Sequence, residues 1–314
     1  MTQARDLGAS GLKTPPLVLG GNVFGWTADK ATSFAVLDRF ADAGGTMVDT
    51  ADVYSAWVPG HRGGESEALI GEWLKASGKK LQVATKVGML DGEGGTRLAP
   101  ARIAAACDAS LKRLGVETID LYYAHQDDEA VPQEEVLAAF DKLIQAGKVR
   151  ALGASNFHAA RLKSALDVAT REGLPHYRVL QPEYNLVSRH KFEGELQDLC
   201  VQYNIGVLPY YGLASGFLTG KYRSKDDLGQ SVRGGRMEAL LEGKGKAALD
   251  AMDQVAAETG ASLAQIALAW LAAQPGIVAP IASATSVEQL DDLLGCWNVK
   301  LTPEQLDRLT QAGA

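Results

Sequence analysis

Cysteine, clustered positive charge and long apolar runs are scarce in this chain of 314 residues, and each scarcity excludes a class of protein. Cys107, Cys200 and Cys296 are far apart and form no CxxC pair, so we expect neither a disulfide framework nor a cysteine-ligated metal site. The formal net charge of -7, with no local basic patch, disfavours nucleic acid and anionic membrane surfaces as partners, because both would be repelled overall.

No targeting or membrane segment is expected either. The N-terminus MTQARDLGASG lacks the basic and apolar regions of a secretory signal, which favours a cytoplasmic protein. Residues 261–287 contain no charge, but Gln265, Gln274 and the pair Pro275-Gly276 divide them. The helix that remains is shorter than the roughly 20 apolar residues of a membrane span. We predict a buried helix followed by a buried strand in this segment.

Short apolar runs alternate with longer Ala/Leu-rich stretches along the chain, a pattern typical of alternating strands and helices. In residues 134–148, for example, apolar side chains recur on one helical face. Ser262 with Gln265, and Ser286 with Gln289, have the spacing of capping boxes at helix N-termini. The eight predicted strands are LVLGG from residue 17, TMVD from 46, LQVAT from 81, TIDLYYA from 118, VRALG from 149, YRVLQ from 177, IGVLP from 205 and IVAPI from 277.

Eight strand-helix units whose strands are too apolar to have a wet face predict an α/β protein, a parallel (β/α)8 TIM barrel. We expect one domain over residues 1–314, with a long loop after the seventh strand and an extra C-terminal helix. A doubly wound sheet is the competing architecture. GGNVFG and GEGGTR, however, miss its G-x-G-x-x-G spacing, and GFLTGKY misses that of a P-loop.

Polar side chains stand at the end of every predicted strand, where barrels of this kind place their active sites. Taken singly, each has a structural explanation: Asp49 a turn residue, Lys86 a solvated lysine, His125 a core histidine, Tyr54 a loop aromatic. Only the set indicates a site. In chain order the strand ends carry Asn22, Asp49, Lys86, His125, Ser155 with Asn156, Gln181, Tyr210 and Ser283.

Three of these residues, Asp49, Lys86 and His125, compose an acid–base group with Tyr54 from the loop after the second strand. An ammonium beside a phenol lowers the pKa of the phenol, and a carboxylate holds the ammonium in place. Tyr54 is therefore predicted to be the general acid, assisted by Lys86 and Asp49, with His125 either orienting a substrate carbonyl or sharing its proton. No nucleophile with its own base and no HExxH spacing is present, so no metal is expected. Carbonyl protonation without either favours hydride delivery from a nicotinamide cofactor.

Seven stretches of this sequence resemble the aldo-keto reductase superfamily, and together they cover nearly the whole chain. The resemblance implies a (β/α)8 barrel that reduces small-molecule aldehydes or ketones with NADPH, with the catalytic tetrad on Asp49, Tyr54, Lys86 and His125. The matching stretches are VDTADVY (48–54), VATKVG (83–88), TIDLYYAHQDD (118–128), LIQAGKVRALGASNF (143–157), LQPEYN (180–185), GFLTGKY (216–222) and ASATSVEQL (282–290).

The resemblance also implies cofactor contacts. Ser155, Asn156 and Gln181 would hold the nicotinamide carboxamide, and Tyr210 would stack on its ring. Gly216, Leu218 and Lys221 would lie along the pyrophosphate, and Ser283, Thr285, Gln289 and Asp292 along the adenosine end. Gly21 and Asn22, after the first strand, are further expected cofactor contacts.

Departures from the family pattern leave some points open. Ser283 and Thr285 are neutral where many members place a basic residue near the 2′-phosphate, so NADH is possible beside NADPH. Gln289 has a second explanation, as the partner of Ser286 in a capping box. Trp26, Trp57 and Gln126 are the expected substrate-pocket residues, with packing as the alternative role for the tryptophans.

Residues 222–246 form a long, charged, Gly-rich segment that we expect to fold over the cofactor. Two other functions remain open. The resemblance extends to potassium-channel β subunits, so a cofactor-sensing barrel with little turnover is one. A barrel lyase or isomerase without nicotinamide is the other. The sequence leaves the oligomeric state and the physiological carbonyl undetermined.

Overall fold

Eight parallel strands form one sheet in the computed structural model, which describes residues 3–230 and 234–314. Neighbouring strands follow chain order, except that the last strand pairs with the first. The strands are β3 (Val18–Gly20), β4 (Met47–Asp49), β5 (Gln82–Val87), β6 (Ile119–Ala124), β7 (Val149–Ser155), β8 (Val179–Gln181), β9 (Gly206–Val207) and β10 (Ile281–Ala282). A separate antiparallel hairpin, β1 (Arg5–Asp6) and β2 (Lys13–Thr14), precedes them.

The sheet curls until its two edges meet. Val207 in β9 forms a parallel bridge with Ile277, and the N–H of Val278 donates to the carbonyl of Val207 at 2.9 Å. The N–H of Ile281 likewise donates to Pro209 O at 2.9 Å. These bonds satisfy the backbone groups of what would otherwise be an edge strand, and the (β/α)8 architecture is confirmed.

Helices alternate with the strands, as predicted, and lie outside the sheet. The connection between β9 and β10 is long and holds two of them, and two helices follow β10, the second of which is the expected extra C-terminal helix. The helices are α1 (Lys30–Asp42), α2 (Glu65–Ser77), α3 (Pro100–Leu114), α4 (Gln133–Gln145), α5 (Ala159–Glu172), α6 (Glu195–Gln202), α7 (Gly243–Thr259), α8 (Leu263–Ala272), α9 (Val287–Leu294) and α10 (Pro303–Ala312).

Two apolar clusters result from the alternation of side chains along the strands. The smaller fills the barrel interior with residues such as Met47, Leu121 and Val179, together with Leu7 and Leu12 from the hairpin region. The hairpin region therefore caps the N-terminal end of the barrel, and it leaves the C-terminal end for a site. The larger cluster joins the outer faces of the strands to the helices.

The eighth strand differs from its prediction. Pro280 has no N–H to donate, and only Ile281–Ala282 forms a ladder with β3. The preceding residues pair instead with β9 through the Ile277 bridge. The predicted run from 277 is thus split between two neighbours, and this split is what closes the barrel.

The two predicted capping boxes have different outcomes. Ser262 and Gln265 bond each other's backbone N–H in both directions, as predicted. Ser286 caps α9 by accepting from the N–H of Gln289. The prediction of a full capping box is wrong here, because the side chain of Gln289 does not bond the N–H of Ser286 in return. The carboxamide oxygen of Gln289 accepts from the N–H and hydroxyl of Thr285 instead, at 2.9 and 3.0 Å.

The charge-free segment forms α8 and the residues leading into β10, as predicted. Among the described residues, no single helix is long and apolar enough to cross a membrane, and only α7 with α8, bent by 97°, passes that test as a pair. In the long segment 222–246, residues Lys225–Gln230 and Gly234–Leu240 form short 3-10 turns. Residues 231–233 of the predicted cofactor-covering segment lie outside the described residues.

Candidate active site

Lys86 joins the acid–base group at the C-terminal rim of the barrel. Its ammonium donates to Oδ2 of Asp49 at 2.7 Å, to the carbonyl of Thr50 at 2.7 Å and to the phenolic oxygen of Tyr54 at 3.0 Å. All three donor hydrogens of the ammonium are used, so its position is fixed. Asp49 ends β4 and Lys86 lies in β5, and the two strands are neighbours in the sheet.

Burial strengthens the interaction between the charges of Lys86 and Asp49. The side chain of Lys86 is 0% exposed and that of Asp49 3% exposed, and a paired charge in such surroundings interacts more strongly than in water. Burial lowers the pKa of Lys86, while the negative charge of Asp49 opposes that shift. The direct contact between the two groups supports an ion pair.

The phenol of Tyr54 differs from the prediction. Proximity of Lys86 was expected to lower its pKa, yet burial raises it well above the usual value, and the negative charge of Asp49 adds to that rise. Tyr54 OH lies 3.4 Å from Oδ2 of Asp49 as well as 3.0 Å from Lys86. The neutral phenol is therefore the stable form, which suits a proton donor.

His125 follows β6 and faces Tyr54, with ring centroids 6.0 Å apart. Burial, with the positive charge of Lys86 adding to it, lowers the pKa of His125 well below its usual value. Nδ1 of His125 is buried without a hydrogen-bond partner in the described part of the chain. A neutral imidazole beside the phenol can donate or accept one hydrogen bond to a substrate oxygen.

The predicted carboxamide-binding residues converge on the same point. Nε2 of Gln181 donates to Oδ1 of Asp49 at 2.8 Å, and the hydroxyl of Ser155 donates to the carbonyl of Gln181 at 2.9 Å. Nδ2 of Asn156 donates to the carbonyl of His125 at 2.8 Å and to Oγ of Ser155 at 3.2 Å. Hydroxyl and amide groups therefore lie together, bonded directly to the acid–base group.

Asn156 and Tyr210 meet at this point as well. The hydroxyl of Tyr210 donates to Oδ1 of Asn156 at 2.7 Å. Asn156 has a backbone φ of 58°, a left-handed conformation that asparagine tolerates better than most residues. The strained backbone aims its side chain at the rim.

Residues expected along the pyrophosphate are only partly arranged for that role. A Cβ added to Gly216, which has φ 97°, would lie 3.2 Å from Nζ of Lys221, so the ammonium lies over the glycine backbone. Leu218, by contrast, is fully buried, and its N–H is bonded to Leu213 O at 3.2 Å. It offers no free donor to a phosphate in this structure.

The ends of β3 and β10, which are neighbours in the sheet, are joined by side chains at the rim. Oγ of Ser283 donates to Oδ1 of Asn22 at 2.5 Å, and the N–H of Gly21 donates to Asp49 O at 2.7 Å. Further out, Oδ1 of Asp292 accepts from Gln265 at 2.9 Å. Asp292 is therefore bonded to α8, and Gln289 to Thr285.

Aromatic side chains surround the tyrosine. Trp57 stands edge-on to Tyr54 at 6.1 Å and to Trp26 at 5.5 Å, and its side chain is 47% exposed. The structure thus brings the two predicted tryptophans together beside the phenol. Gln126 instead donates to the carbonyl of Gly88 at 3.2 Å.

Two features of the site were missed from sequence. The carbonyl of Thr50 holds Lys86, and no side-chain pattern reveals a backbone acceptor. Tyr211, exposed and left-handed with φ 57°, lies against Tyr210 with ring centroids 5.0 Å apart. The Tyr-Tyr pair after the seventh strand was the available signal. No group of three or more potential metal ligands occurs among residues 3–230 and 234–314.

Comparison with known proteins agrees with this geometry. A sequence model of the aldo/keto reductase family matches residues 16–314. A probable voltage-gated potassium channel subunit beta of Oryza sativa subsp. japonica is 34% identical over 98% of this chain and 95% of its own length. An uncharacterized oxidoreductase of Bacillus subtilis, YrpG, is 33% identical over 96% of this chain and 93% of its own. A putative channel subunit beta of Schizosaccharomyces pombe is also 33% identical, over 98% and 92%.

Proposed function

Since the chain belongs to the aldo/keto reductase family, we propose that it reduces an aldehyde or ketone to an alcohol with NAD(P)H, taking the proton from Tyr54. One observation carries the proposal. A single buried ammonium, Lys86, contacts both the carboxylate of Asp49 and the phenolic oxygen of Tyr54. A positive charge held against a neutral phenol stabilises the phenolate that remains after the proton leaves.

Each member of the tetrad then has a separate task. Tyr54 donates its proton to the substrate oxygen as that oxygen becomes negative. Lys86 stabilises the phenolate, and Asp49 holds Lys86 in position through the 2.7 Å contact. His125 stays neutral and bonds the substrate oxygen, because burial disfavours its charged form. The aromatic pair Trp26 and Trp57 favours an apolar substituent on the carbonyl.

The residues beside the tetrad fit a nicotinamide carboxamide by their chemistry. An amide needs both donors and acceptors, and Ser155, Asn156 and Gln181 offer both types. Oδ1 of Asn156 keeps a second lone pair beside its bond from Tyr210. When bound, a reduced nicotinamide supplies the hydride for the carbonyl carbon. Lys221 beside Gly216 would supply positive charge for the pyrophosphate.

The proposed role of Ser283, Thr285, Gln289 and Asp292 is at the adenosine end. Thr285 and Gln289 already bond each other, and Asp292 already bonds Gln265. These side chains would bind the adenosine through the lone pairs and amide hydrogens that their present hydrogen bonds do not use. We propose NADPH as the preferred cofactor, with NADH as the alternative to be compared directly.

A turnover assay tests the proposal. Purified protein is given NADPH or NADH with a panel of carbonyl compounds that includes 4-nitrobenzaldehyde, and cofactor oxidation is followed. We expect turnover within the ordinary enzymatic range, and its loss in Tyr54→Phe. Tyr203→Phe, at a half-buried tyrosine beside Lys163 on the helical layer, is the matched control and should retain activity.

Two results would overturn the proposal. Wild-type kcat in Tyr54→Phe would remove the tyrosine from the chemistry. Tight NADPH binding with negligible turnover for every carbonyl would favour a cofactor-sensing barrel instead.

A further inference from the structure

A second buried charge cluster lies behind the acid–base group, between β5 and the helices α2 and α3. Asp52 is 2% exposed and belongs to the turn that ends at Tyr54, whose N–H donates to Ala51 O at 3.1 Å. Glu67 in α2 is fully buried, and Arg102 and Arg113 approach from α3. This cluster plays no part in the proton transfer described above.

The two carboxylates of the cluster are paired unequally. Glu67 accepts from Thr85 at 2.5 Å and from Arg113 at 2.6 Å, so both of its oxygens are bonded. Asp52 has a long 3.5 Å contact from Arg102 to Oδ2 and a backbone hydrogen bond from Val53, and among the described residues its Oδ1 has no hydrogen-bond partner. A buried carboxylate with one unbonded oxygen and a long contact to its cation is costly to the fold, so a functional role for Asp52 is worth testing.

Asp52 connects three parts of the rim. Its backbone N–H donates to the carbonyl of Lys86 at 3.3 Å, and Tyr54 is two residues away. Arg102 donates through Nε to Leu90 O at 3.2 Å, in the loop after β5. The Asp52–Arg102 pair therefore joins the loop that carries the phenol to the loop that follows the catalytic lysine.

We propose that Asp52 is a positioning residue of this reductase: its ionised carboxylate, paired with Arg102, fixes the turn that carries Tyr54 and keeps a negative charge behind Lys86. The inference rests on the proposed function, which it deepens. Asp52 touches no reacting atom, and it acts through Tyr54 and Lys86.

Charge supports the same role. Burial lowers the pKa of Lys86, and the negative charges of Asp49, Asp52 and Glu67 oppose that shift. Burial also raises the pKa of Asp52 to about 7; Glu67 adds to the rise, and Arg102 and Arg113 oppose it. Besides these groups, Lys86 from β5 and the phenol of Tyr122 from β6 face Asp52.

Protonation of Asp52 near neutral pH would remove the partner of Arg102 and one negative charge from behind Lys86. The reduction rate should therefore fall as the pH declines through about 7, although a general acid alone would lose rate only at high pH. His125 titrates well below its usual range and Tyr54 well above its own, so neither produces a change near 7.

The test compares pH profiles of kcat with NADPH and 4-nitrobenzaldehyde. In the wild type we expect kcat to fall about tenfold from pH 8 to pH 6, because the negative charge of Asp52 no longer stabilises the ammonium of Lys86. Asp52→Asn, which is neutral at every pH, should stay at the low plateau with unchanged NADPH affinity. A wild-type profile in Asp52→Asn would overturn the proposal.

Arg102→Gln keeps the test decisive if Asp52→Asn fails to fold. Removing the guanidinium breaks the pair, so kcat should fall at every pH. It also removes a charge that lowers the pKa of Asp52, so the remaining change in kcat should move to higher pH. Arg102→Lys should restore it towards the wild-type position. The matched control is Asp120→Asn, at a buried carboxylate paired with Arg150 near the opposite end of the barrel, which should leave the profile unchanged. An unmoved profile in Arg102→Gln would count against the proposal.

Amide exchange separates this inference from the proposed function. If the wild type turns over no carbonyl, the proposed function fails, and exchange in residues 50–63 still reports on the turn. After correction for the intrinsic effect of pH, we expect weaker protection at pH 6 than at pH 8 in the wild type and equal, weak protection in Asp52→Asn. Equal protection at both pH values in the wild type would overturn the positioning role.

Discussion

Asp49 and Gln181 are 132 residues apart in the chain, yet Nε2 of Gln181 donates a 2.8 Å hydrogen bond to Oδ1 of Asp49. The other oxygen of that carboxylate accepts from Lys86. One carboxylate thus joins the acid–base group to the residues proposed to hold the nicotinamide. Changes on either side of Asp49 should therefore affect both binding and chemistry.

The first prediction concerns Gln181→Leu. This change leaves Oδ1 of Asp49 without its donor and removes an amide from the proposed carboxamide site. We expect kcat to fall roughly tenfold, since a hydrogen bond to a charged group contributes about 1.5 kcal/mol or more. NADPH affinity, followed by fluorescence titration, should fall as well.

Gln133→Leu is the control for this prediction. Gln133 is also a buried glutamine, but it bonds Arg161 O and Ser164 on the helical layer, away from the rim. Its replacement should lower the melting temperature and leave NADPH affinity unchanged. If Gln181→Leu behaved in the same way as Gln133→Leu, Gln181 would be a structural residue only.

The second prediction separates charge pairing from catalysis at Lys86. Lys86→Met leaves the buried carboxylate of Asp49 without its cation, which should destabilise the protein by about 3–5 kcal/mol and reduce kcat strongly. Adding Asp49→Asn removes the isolated charge, so the double variant should recover much of the stability and none of the activity. Denaturant unfolding and turnover assays measure the two effects. Additive losses of stability would show that the pair does not behave as a unit.

Much of the fold followed from sequence because the signals were redundant. Eight apolar runs, each followed by a helical pattern, allow few topologies other than a barrel. Barrel topology in turn dictates that residues at successive strand ends, such as Asp49, Lys86 and His125, meet at one rim. The start of β10 was less predictable. The sequence pattern assigns residues from Ile277 onwards to this strand, but Ile277 pairs with β9, and that pairing depends on closure of the barrel and not on local propensity.

Features that depend on burial were not predictable from the sequence. In the sequence, the members of the second charge cluster look like ordinary charged residues on a loop and two helices. Only the packing of the folded chain brings them together as one buried group: Asp52, Glu67, Arg102 and Arg113. The prediction of a lowered pKa for Tyr54 was wrong because it, too, left out burial. Proximity of Lys86 could be inferred, whereas the larger effect of burial could not. Likewise Gln289 had two nearby partners, and the bond to Thr285 prevailed over the capping box.

The third prediction uses the raised pKa of Tyr54. In the folded protein the phenol should remain protonated beyond pH 10, because burial and Asp49 both disfavour the phenolate. Its contribution to stability is thus fully present below the unfolded-state pKa of about 10 and is lost as the pH rises through the folded-state value. The absorbance change of tyrosine ionisation, compared between the wild type and Tyr54→Phe, should be equal below pH 10. A change below pH 9 that only the wild type shows would mean that Lys86 outweighs burial.

The last prediction compares Asn156→Gly with Asn156→Ala. Both remove the bonds to His125 O, Ser155 and Tyr210, so both should weaken NADPH binding to a similar extent. Only alanine has a Cβ that disfavours φ 58°, at a cost of roughly 1–2 kcal/mol. Asn156→Ala should therefore melt at a lower temperature than Asn156→Gly, although glycine has the greater entropy in the unfolded chain. Equal NADPH affinity in the wild type and both variants would show that the side chain serves only the local structure, and an equal melting temperature in the two variants would contradict the strain at this position.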